Sequence, residues 1–186
     1  MTEANSNRKI TNPLVGDELT FLTLSSESDG KHSIVEVYLQ PNGGSEPHFH
    51  IQLTERFTAI SGTLGVQVAD QALRLEPGES YTVQPNITHK YFNPTDEPIR
   101  FQVEITPGHQ GFEQFLQIAY GLAEDGLTTA TGMPKNPLHT AVLLEISDTN
   151  LPGAIRIIEP IIRFFGLIAK RRNTKEKLIQ QYCRIS

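Results

Sequence analysis

Short segments with alternating hydrophobic and polar positions fill the first half of the chain. Between Glu18 and Thr106, stretches rich in Val, Ile, Phe, Tyr and Thr recur about every ten residues and are separated by turn residues. The clearest stretches are SIVEVYLQ (33–40), RFTAISG (56–62), LGVQVAD (64–70), ESYTVQP (79–85) and IRFQVEI (99–105). Since successive side chains of a strand point to opposite faces, this alternation predicts an all-β sandwich or barrel.

The pattern changes after Pro107 and Gly108. In GFEQFLQIAYGLAED (111–125), apolar residues return at the three- and four-residue intervals of a helical face. The tail IEPIIRFFGLIAKRR (158–172) is amphipathic and basic, and its Pro160 suits the first turn of a helix, which we expect to begin or kink there. A second basic helix is predicted over 174–182. The chain therefore divides into an N-terminal arm (1–17), a β-barrel (18–107) and a C-terminal helical extension (108–186), which packs on the barrel or on a dimer partner.

Composition and length support one domain with an appendage. The 186 residues are 38% hydrophobic and 20% charged, which is ordinary for a globular chain that can bury a core. The single cysteine, Cys183, excludes an internal disulfide framework and a cysteine-cluster zinc site. The polar N-terminus and the absence of a run of about 18 apolar residues lead us to expect a cytoplasmic protein.

Charge is distributed unevenly along the chain. Residues 151–186 carry eight Lys or Arg and two Glu, a net charge of +6, whereas residues 1–150 carry eight basic and 19 acidic side chains, a net charge of −11. The acidic body argues against a nucleic-acid partner, and no motif of that class is present. A basic amphipathic tail can anchor a protein to a membrane surface, but against an acidic body we favour a helix that covers the barrel or forms a dimer contact. We expect a homodimer.

The stretch EPHFHIQLTERFTAISG (46–62) contains three good metal-binding side chains, His48, His50 and Glu55, within eight positions of one another. His48 and His50 share one face of a strand, so both imidazoles could hold one ion from a single element. Two solvated histidines on an exposed strand are the alternative, and this stretch alone does not decide between the two interpretations.

The wider spacing favours the metal site. From His48 to Gly62 it is H-x-H-x4-E-x6-G, and Gly78, Pro85, Asn86, His89 and Asn93 follow. This pair of motifs, across residues 44–93, resembles the cupin superfamily, in which H-x-H-x(3,4)-E-x6-G precedes G-x5-P-x-G-x2-H-x3-N. The resemblance implies a mainly β fold: a single RmlC-like jelly-roll, or cupin, β-barrel with a C-terminal α-helical extension.

The resemblance also implies a ligand set and a cofactor. In cupins the two histidines and the glutamate of the first motif and the histidine of the second bind one divalent metal, which carries over to His48, His50, Glu55 and His89. Three imidazoles and one carboxylate suit Fe, Mn, Ni, Zn, Co or Cu and hold Ca²⁺ poorly. On a six-coordinate ion, two positions remain for water, O2 or a bidentate substrate.

Three positions depart from the family pattern. Gly44 lies closer to His48 than the family spacing has it, Pro85 comes one position late, and Asn86 stands where a second glycine is usual. Asn tolerates the left-handed backbone conformation that glycine adopts, so we expect the turn to survive and His89 to point inward.

The residues around the motifs suggest a pocket. Alternation places Tyr91 and Asn93 on the same face as His89, and Phe57 on the same face as Glu55, so all three are candidates to line a cavity for a small molecule. The alternative is that they are barrel core.

The function predicted from these features is a metal-dependent enzyme, dioxygenase-like or a Lewis-acid catalyst such as an isomerase or cyclase, that acts on a small organic substrate. The alternative is a non-catalytic module that binds a metal or a small ligand. No catalytic residue beyond the metal ligands is identified, because one fold supports many reactions.

Overall fold

The computed structural model describes residues 8–14, 16–153 and 159–185 of the chain, with Glu159 described by its backbone alone. The strands are β1 (Lys9–Asn12), β2 (Asp17–Thr23), β3 (Ser33–Leu39), β4 (Phe49–His50), β5 (Thr54–Ser61), β6 (Leu64–Val68), β7 (Gln71–Leu75), β8 (Ser80–Val83), β9 (His89–Phe92), β10 (Ile99–Thr106) and β11 (Thr149–Asn150). The α-helices are α1 (Gln110–Glu124), α2 (Pro137–Ile146), α3 (Glu159–Arg171) and α4 (Thr174–Tyr182), and a short 3-10 helix covers Ser25–Glu27.

The strands form two main antiparallel sheets that enclose one core. One has the order β1-β2-β3-β10-β5-β8 and the other the order β7-β6-β9, while β11 pairs with β4 in a small two-stranded sheet. Buried side chains from both main sheets, including Phe57, Phe101 and Val66, belong to a single hydrophobic cluster. Alternation along β3 and β10 sends every second side chain into this cluster, as the sequence pattern predicts.

Helix α1 joins the barrel to the rest of the helical extension, because its two faces pack against different cores. Phe112, Leu116 and Tyr120, spaced four residues apart, pack on the barrel core. Ile118 and Leu122 belong to a second core that also holds apolar side chains of α2, α3 and α4. The apolar positions of α1 therefore form two faces rather than the single face that the sequence suggests.

The predicted mainly β fold with a C-terminal helical extension is confirmed. Helix α4 has the predicted bounds, and Pro160 is the second residue of α3. The segment assigned to an N-terminal arm contains β1, which pairs with β2 and extends the larger sheet. No helix in the described parts of the chain has both the length and the apolar composition needed to cross a membrane.

Two glycines provide a matched test of how tightly the extension packs. A Cβ at Gly111, in the first turn of α1, would lie 2.0 Å from the main-chain oxygen of Ile146, whereas a Cβ at Gly166, inside α3, meets no atom within 4 Å. We expect Gly111→Ala to destabilise the fold by about 1–3 kcal/mol through overpacking. Gly166→Ala should stabilise it by about 0.5–1 kcal/mol, because alanine has the higher helix propensity. Urea unfolding checks both values, and equal effects of the two substitutions would contradict the close contact between α1 and the end of α2.

Candidate metal centre

A narrow antiparallel bridge joins the two sequence motifs. The His48 amide donates to the His89 carbonyl over 2.9 Å, and the His89 amide donates to the His48 carbonyl over 2.8 Å. His50 follows in β4, Glu55 is the second residue of β5, and His89 begins β9. The bridge therefore sets the two motifs side by side in the barrel.

The turn before β9 has the backbone conformation that the sequence predicts. Asn86 has a φ of 67°, in the left-handed region, and its amide donates to the His50 carbonyl over 2.6 Å. An asparagine adopts this conformation at lower cost than most residues with a side chain. The expectation that Asn86 replaces the usual glycine without loss of the turn is confirmed, and the His89 side chain is buried.

The four predicted ligands meet in one cluster that is able to hold a metal ion. One candidate ligand atom from each of His48, His50, Glu55 and His89 lies within 4.8 Å of all the others. Opposite ligands on one transition-metal ion are separated by two bond lengths, about 4–4.5 Å, so the observed spread is close to that of a bound site. Their binding of a metal stays a prediction.

Every imidazole in the cluster has its Nδ1 atom against a main-chain carbonyl. His48 Nδ1 lies 2.8 Å from the Glu46 oxygen, His89 Nδ1 lies 2.9 Å from the Ile87 oxygen, and His50 Nδ1 lies 3.1 Å from the Asp148 oxygen. A carbonyl only accepts, so the ring nitrogen facing it carries the hydrogen. In the neutral ring, Nε2 then keeps its lone pair for a metal, which is the arrangement that outer hydrogen bonds impose on metal-binding histidines.

At the centre of the cluster, one ring nitrogen lacks a hydrogen-bond partner and another faces a second acceptor. His50 Nε2 is buried without a hydrogen bond, at 3.5 Å from Glu55 Oε2. His89 Nε2 lies 2.7 Å from the same oxygen, so this ring faces acceptors on both sides. A divalent cation would satisfy both nitrogens and the carboxylate at once, and the side chains present therefore fit a transition metal.

Protonation in the cluster follows from burial and from its one carboxylate. Burial lowers the pKa of His48 to about 4, so this imidazole is neutral at physiological pH. Burial alone would raise the pKa of Glu55, but the neighbouring imidazoles of His50 and His89 outweigh burial and hold it below its ordinary value. Burial also opposes the charged form of His89, yet the Glu55 carboxylate raises the pKa of that imidazole. The carboxylate is therefore ionised, as a metal ligand must be.

Aromatic side chains form the walls beside the cluster. The Phe57 ring lies 6.0 Å from the rings of both His89 and Tyr91, and Tyr91 lies 5.0 Å from Phe101. The Phe112 ring, from α1, meets His50 edge-on at 6.2 Å. His48 is the one ligand that is only half-buried, so the open side of the cluster lies beside it.

The three predicted pocket residues differ in their surroundings. Phe57 and Tyr91 lie in the barrel next to the cluster. The side chain of Asn93 is buried in a turn, where its amide donates to the carbonyls of Leu39 and Glu97 and its oxygen accepts from Thr95. These bonds hold the turn together, and a contact of Asn93 with substrate stays a prediction.

Three residues near the cluster or in the barrel are missed by the sequence analysis. Phe112 and Asp148 belong to the helical extension and contact His50, and Asp17 is a buried carboxyl whose pKa burial raises to about 6. Of the three, only Asp17 could be found from the sequence, because the alternation of β2 places it on the same face as Leu19 and Phe21. Neither of the other two residues lies at a motif spacing that could reveal it.

Comparisons with known proteins match the part of the chain that forms the barrel. A family model described as Cupin domain matches residues 35–106. A curated relative, Oxidoreductase OpS7 of Beauveria bassiana (strain ARSEF 2860), is 34% identical over 68 residues, which are 36% of this chain and only 19% of the relative.

Solved structures are similar over about half of the chain. A predicted oxalate decarboxylase from Thermotoga maritima is 16% identical, with a TM-score of 0.48, and the match covers 53% of this chain and 90% of that one. An RmlC-like cupin from Shewanella frigidimarina NCIMB 400 is also 16% identical, with a TM-score of 0.47, and the match covers 55% of this chain and 86% of that one.

The ligand assignment is tested by single substitutions. We expect His50→Ala and His89→Ala each to lose most bound metal while keeping the fold, because each removes one of four donors. Metal content by elemental analysis of protein purified without a histidine tag, together with circular dichroism, provides the measurement. His32→Ala, at a half-buried loop histidine outside the cluster, is the matched control and should keep its metal. Unchanged metal content in both ligand variants would contradict the assignment.

Proposed function

We propose that this protein, whose residues 35–106 match the Cupin domain family model, is a cupin-superfamily, metal-dependent enzyme acting on a small organic molecule by oxygenase-like or Lewis-acid chemistry. The observation that carries the proposal is the convergence of His48, His50, Glu55 and His89, with every imidazole Nδ1 engaged by a main-chain carbonyl. Side chains oriented in this way are prepared for a metal before it arrives.

The charge of the donor set indicates the substrate class. A divalent ion, when bound, supplies a Lewis acid that can polarise a substrate oxygen or hold the substrate beside O2. Three neutral imidazoles and the single Glu55 carboxylate leave such a centre with one net positive charge. Substrates with an anionic or enolisable oxygen are therefore favoured, such as 2-oxo acids and 1,3-diketones.

The barrel wall supplies the remaining contacts with the substrate. Phe57 and Phe101 are fully buried behind the cluster, and the half-buried Tyr91 has a pKa raised well above its ordinary value by burial first and by nearby Tyr120 and Asp17 next. Tyr91 therefore keeps its proton at neutral pH and can donate a hydrogen bond to a substrate oxygen. Phe112, packed edge-on against His50, keeps water from that side of the centre.

Spectroscopy of the iron-loaded protein tests this function. After anaerobic loading with Fe(II), nitric oxide should give a paramagnetic signal in the wild type, and a 2-oxo acid or a 1,3-diketone should alter that signal. Tyr91→Phe should weaken binding of the active analogue about tenfold, the worth of one hydrogen bond. His32→Ala serves as control. Metal uptake without a response to any analogue would favour the non-catalytic binding module, and no metal uptake would contradict the proposal.

We also propose that the protein forms a homodimer, and an exposed apolar face of helix α3 supports this. Ile161, Phe164 and Leu167 are 54%, 59% and 66% exposed, and their three-residue spacing puts them on one face of the helix. Beside this row runs a groove of about 750 Å³ between α2, α3 and the β4–β11 pair, whose lining includes Leu144 and Leu151. An apolar row next to an apolar groove is self-complementary about a two-fold axis.

Charge favours a second copy of this chain as the occupant of the groove. The groove contains both Glu145 and Lys170, so a two-fold arrangement can bring the glutamate of one copy near the lysine of the other. On a larger scale, the net charge of +6 over residues 151–186 can face the net charge of −11 over residues 1–150 of the partner. The row of each copy would enter the groove of the other.

Sedimentation velocity tests the dimer. The wild type should sediment as a dimer, and the double substitution Phe164→Glu with Leu167→Glu should give a monomer, because it buries two charges in an apolar contact. Ile60→Glu, at a residue of β5 that is 41% exposed, is the control and should remain dimeric. A wild-type monomer that co-sediments with phosphatidylserine vesicles would contradict the proposal and assign this face to a membrane surface.

A further inference from the structure

The helical extension reaches the candidate metal centre through the segment that follows α2. Thr149 and Asn150 of β11 pair with His50 and Phe49 of β4, so a strand from the end of the chain lies against the strand that carries a ligand. Asp148, immediately before β11, faces His50 directly, with its main-chain oxygen 3.1 Å from His50 Nδ1. The family match ends at residue 106, so this contact lies outside the matched region.

His50 differs from the other two imidazoles in where its outer partner comes from. His48 and His89 each bond the carbonyl of the residue two positions earlier, so the local backbone of their own motifs orients them. The partner of His50 is 98 residues away along the chain. The tautomer and ring orientation of this ligand therefore depend on how the extension is held.

The Asp148 carboxylate fastens the extension to the backbone next to His50. Its Oδ2 atom accepts hydrogen bonds from the amides of Ile51 and Gln52, at 3.0 and 2.7 Å, directly after the ligand His50. The residue has a φ of 53°, a left-handed conformation that aspartate, asparagine and glycine tolerate. Asp148 therefore contacts the His50 imidazole through its main-chain oxygen and the two following amides through its carboxylate.

The surroundings of Asp148 fix its position from the other side. Ser147 is fully buried, and its hydroxyl donates to the Leu143 carbonyl over 2.8 Å and accepts from the Thr149 amide over 3.3 Å. The Asn150 side chain donates to the same Asp148 carbonyl that faces His50, over 3.0 Å. These bonds tie the loop to the end of α2.

We infer that Asp148 is the positioning residue for the ligand His50, so that the helical extension helps to set the geometry of the metal centre. The inference rests on the proposed metal centre for its effect on metal binding, but its geometric basis does not depend on a metal. Without the carboxylate, the segment around residues 50–52 loses two hydrogen bonds and the Asp148 carbonyl moves away from His50. The imidazole of His50 then samples both tautomers.

Two substitutions separate the carboxylate from the backbone. Asp148→Gly keeps the left-handed conformation and the carbonyl but removes the carboxylate. Asp148→Asn keeps the conformation and one side-chain oxygen, so it should rescue most of the loss. Asp29→Gly is the matched control, because Asp29 also has a φ of 53° and its exposed carboxylate lies 3.9 Å from Lys31 Nζ, in the turn before β3.

The first measurement uses metal-free protein and reads the tautomer of His50 by long-range ¹H–¹⁵N NMR of its imidazole, at a pH where the ring is neutral. The wild type, Asp148→Asn and Asp29→Gly should carry the hydrogen on Nδ1, and Asp148→Gly should show a mixture. An unchanged tautomer in Asp148→Gly would overturn the inference, whether or not the protein binds a metal.

The second measurement is the affinity for Mn²⁺ and Zn²⁺ by chelator competition. Asp148→Gly should bind about 10–100-fold more weakly than the wild type, the usual cost of losing an outer partner of a ligand. Asp148→Asn and Asp29→Gly should stay near the wild type. Failure of the wild type to bind any metal would refute the proposed function while the NMR result still decides the role of Asp148. Equal affinities in wild type and Asp148→Gly would overturn the inference.

Discussion

The pair of main-chain hydrogen bonds between His48 and His89 is the constraint on which the site depends. It sets the start of the first motif against the end of the second, and from there alternation along β5 and β9 determines which side chains point at one another. The barrel core of Phe57, Phe101 and their neighbours then holds these strands at a fixed spacing. Because protein interiors are close-packed, a displacement of one ligand has to be accommodated by the others.

Local pattern was sufficient for the parts of this protein that depend on local geometry. Period-two alternation predicted β3 and β10, the amphipathic tail predicted α3 and α4, and the spacing of His48, His50, Glu55 and His89 singled out the side chains that meet. The backbone at Asn86 was predictable because the left-handed conformation restricts the choice of residue. Short strands such as β4 and β11 carry too few residues to show any period.

Contacts made across long stretches of sequence could not be predicted. Asp148 meets His50 only because α1 and α2 fold back over the barrel, and no periodicity records such a meeting. The division of α1 between two cores was hidden for the same reason, since Phe112 and Ile118 are equally apolar and only their packing partners differ. The raised pKa of Asp17 depends on burial in the folded state, so its sequence neighbours do not reveal it.

The edge contact of β11 with β4 has a thermodynamic consequence for the helices. Coupling between two sites is reciprocal, so if the segment after α2 helps to hold a liganded imidazole, occupancy of the centre must strengthen the attachment of that segment by the same free energy. Metal binding would then reduce local unfolding of the extension, although the extension itself donates no ligand. The exposed face of α3 belongs to the same helical layer, so metal binding would also stabilise the surface that α3 offers to other molecules.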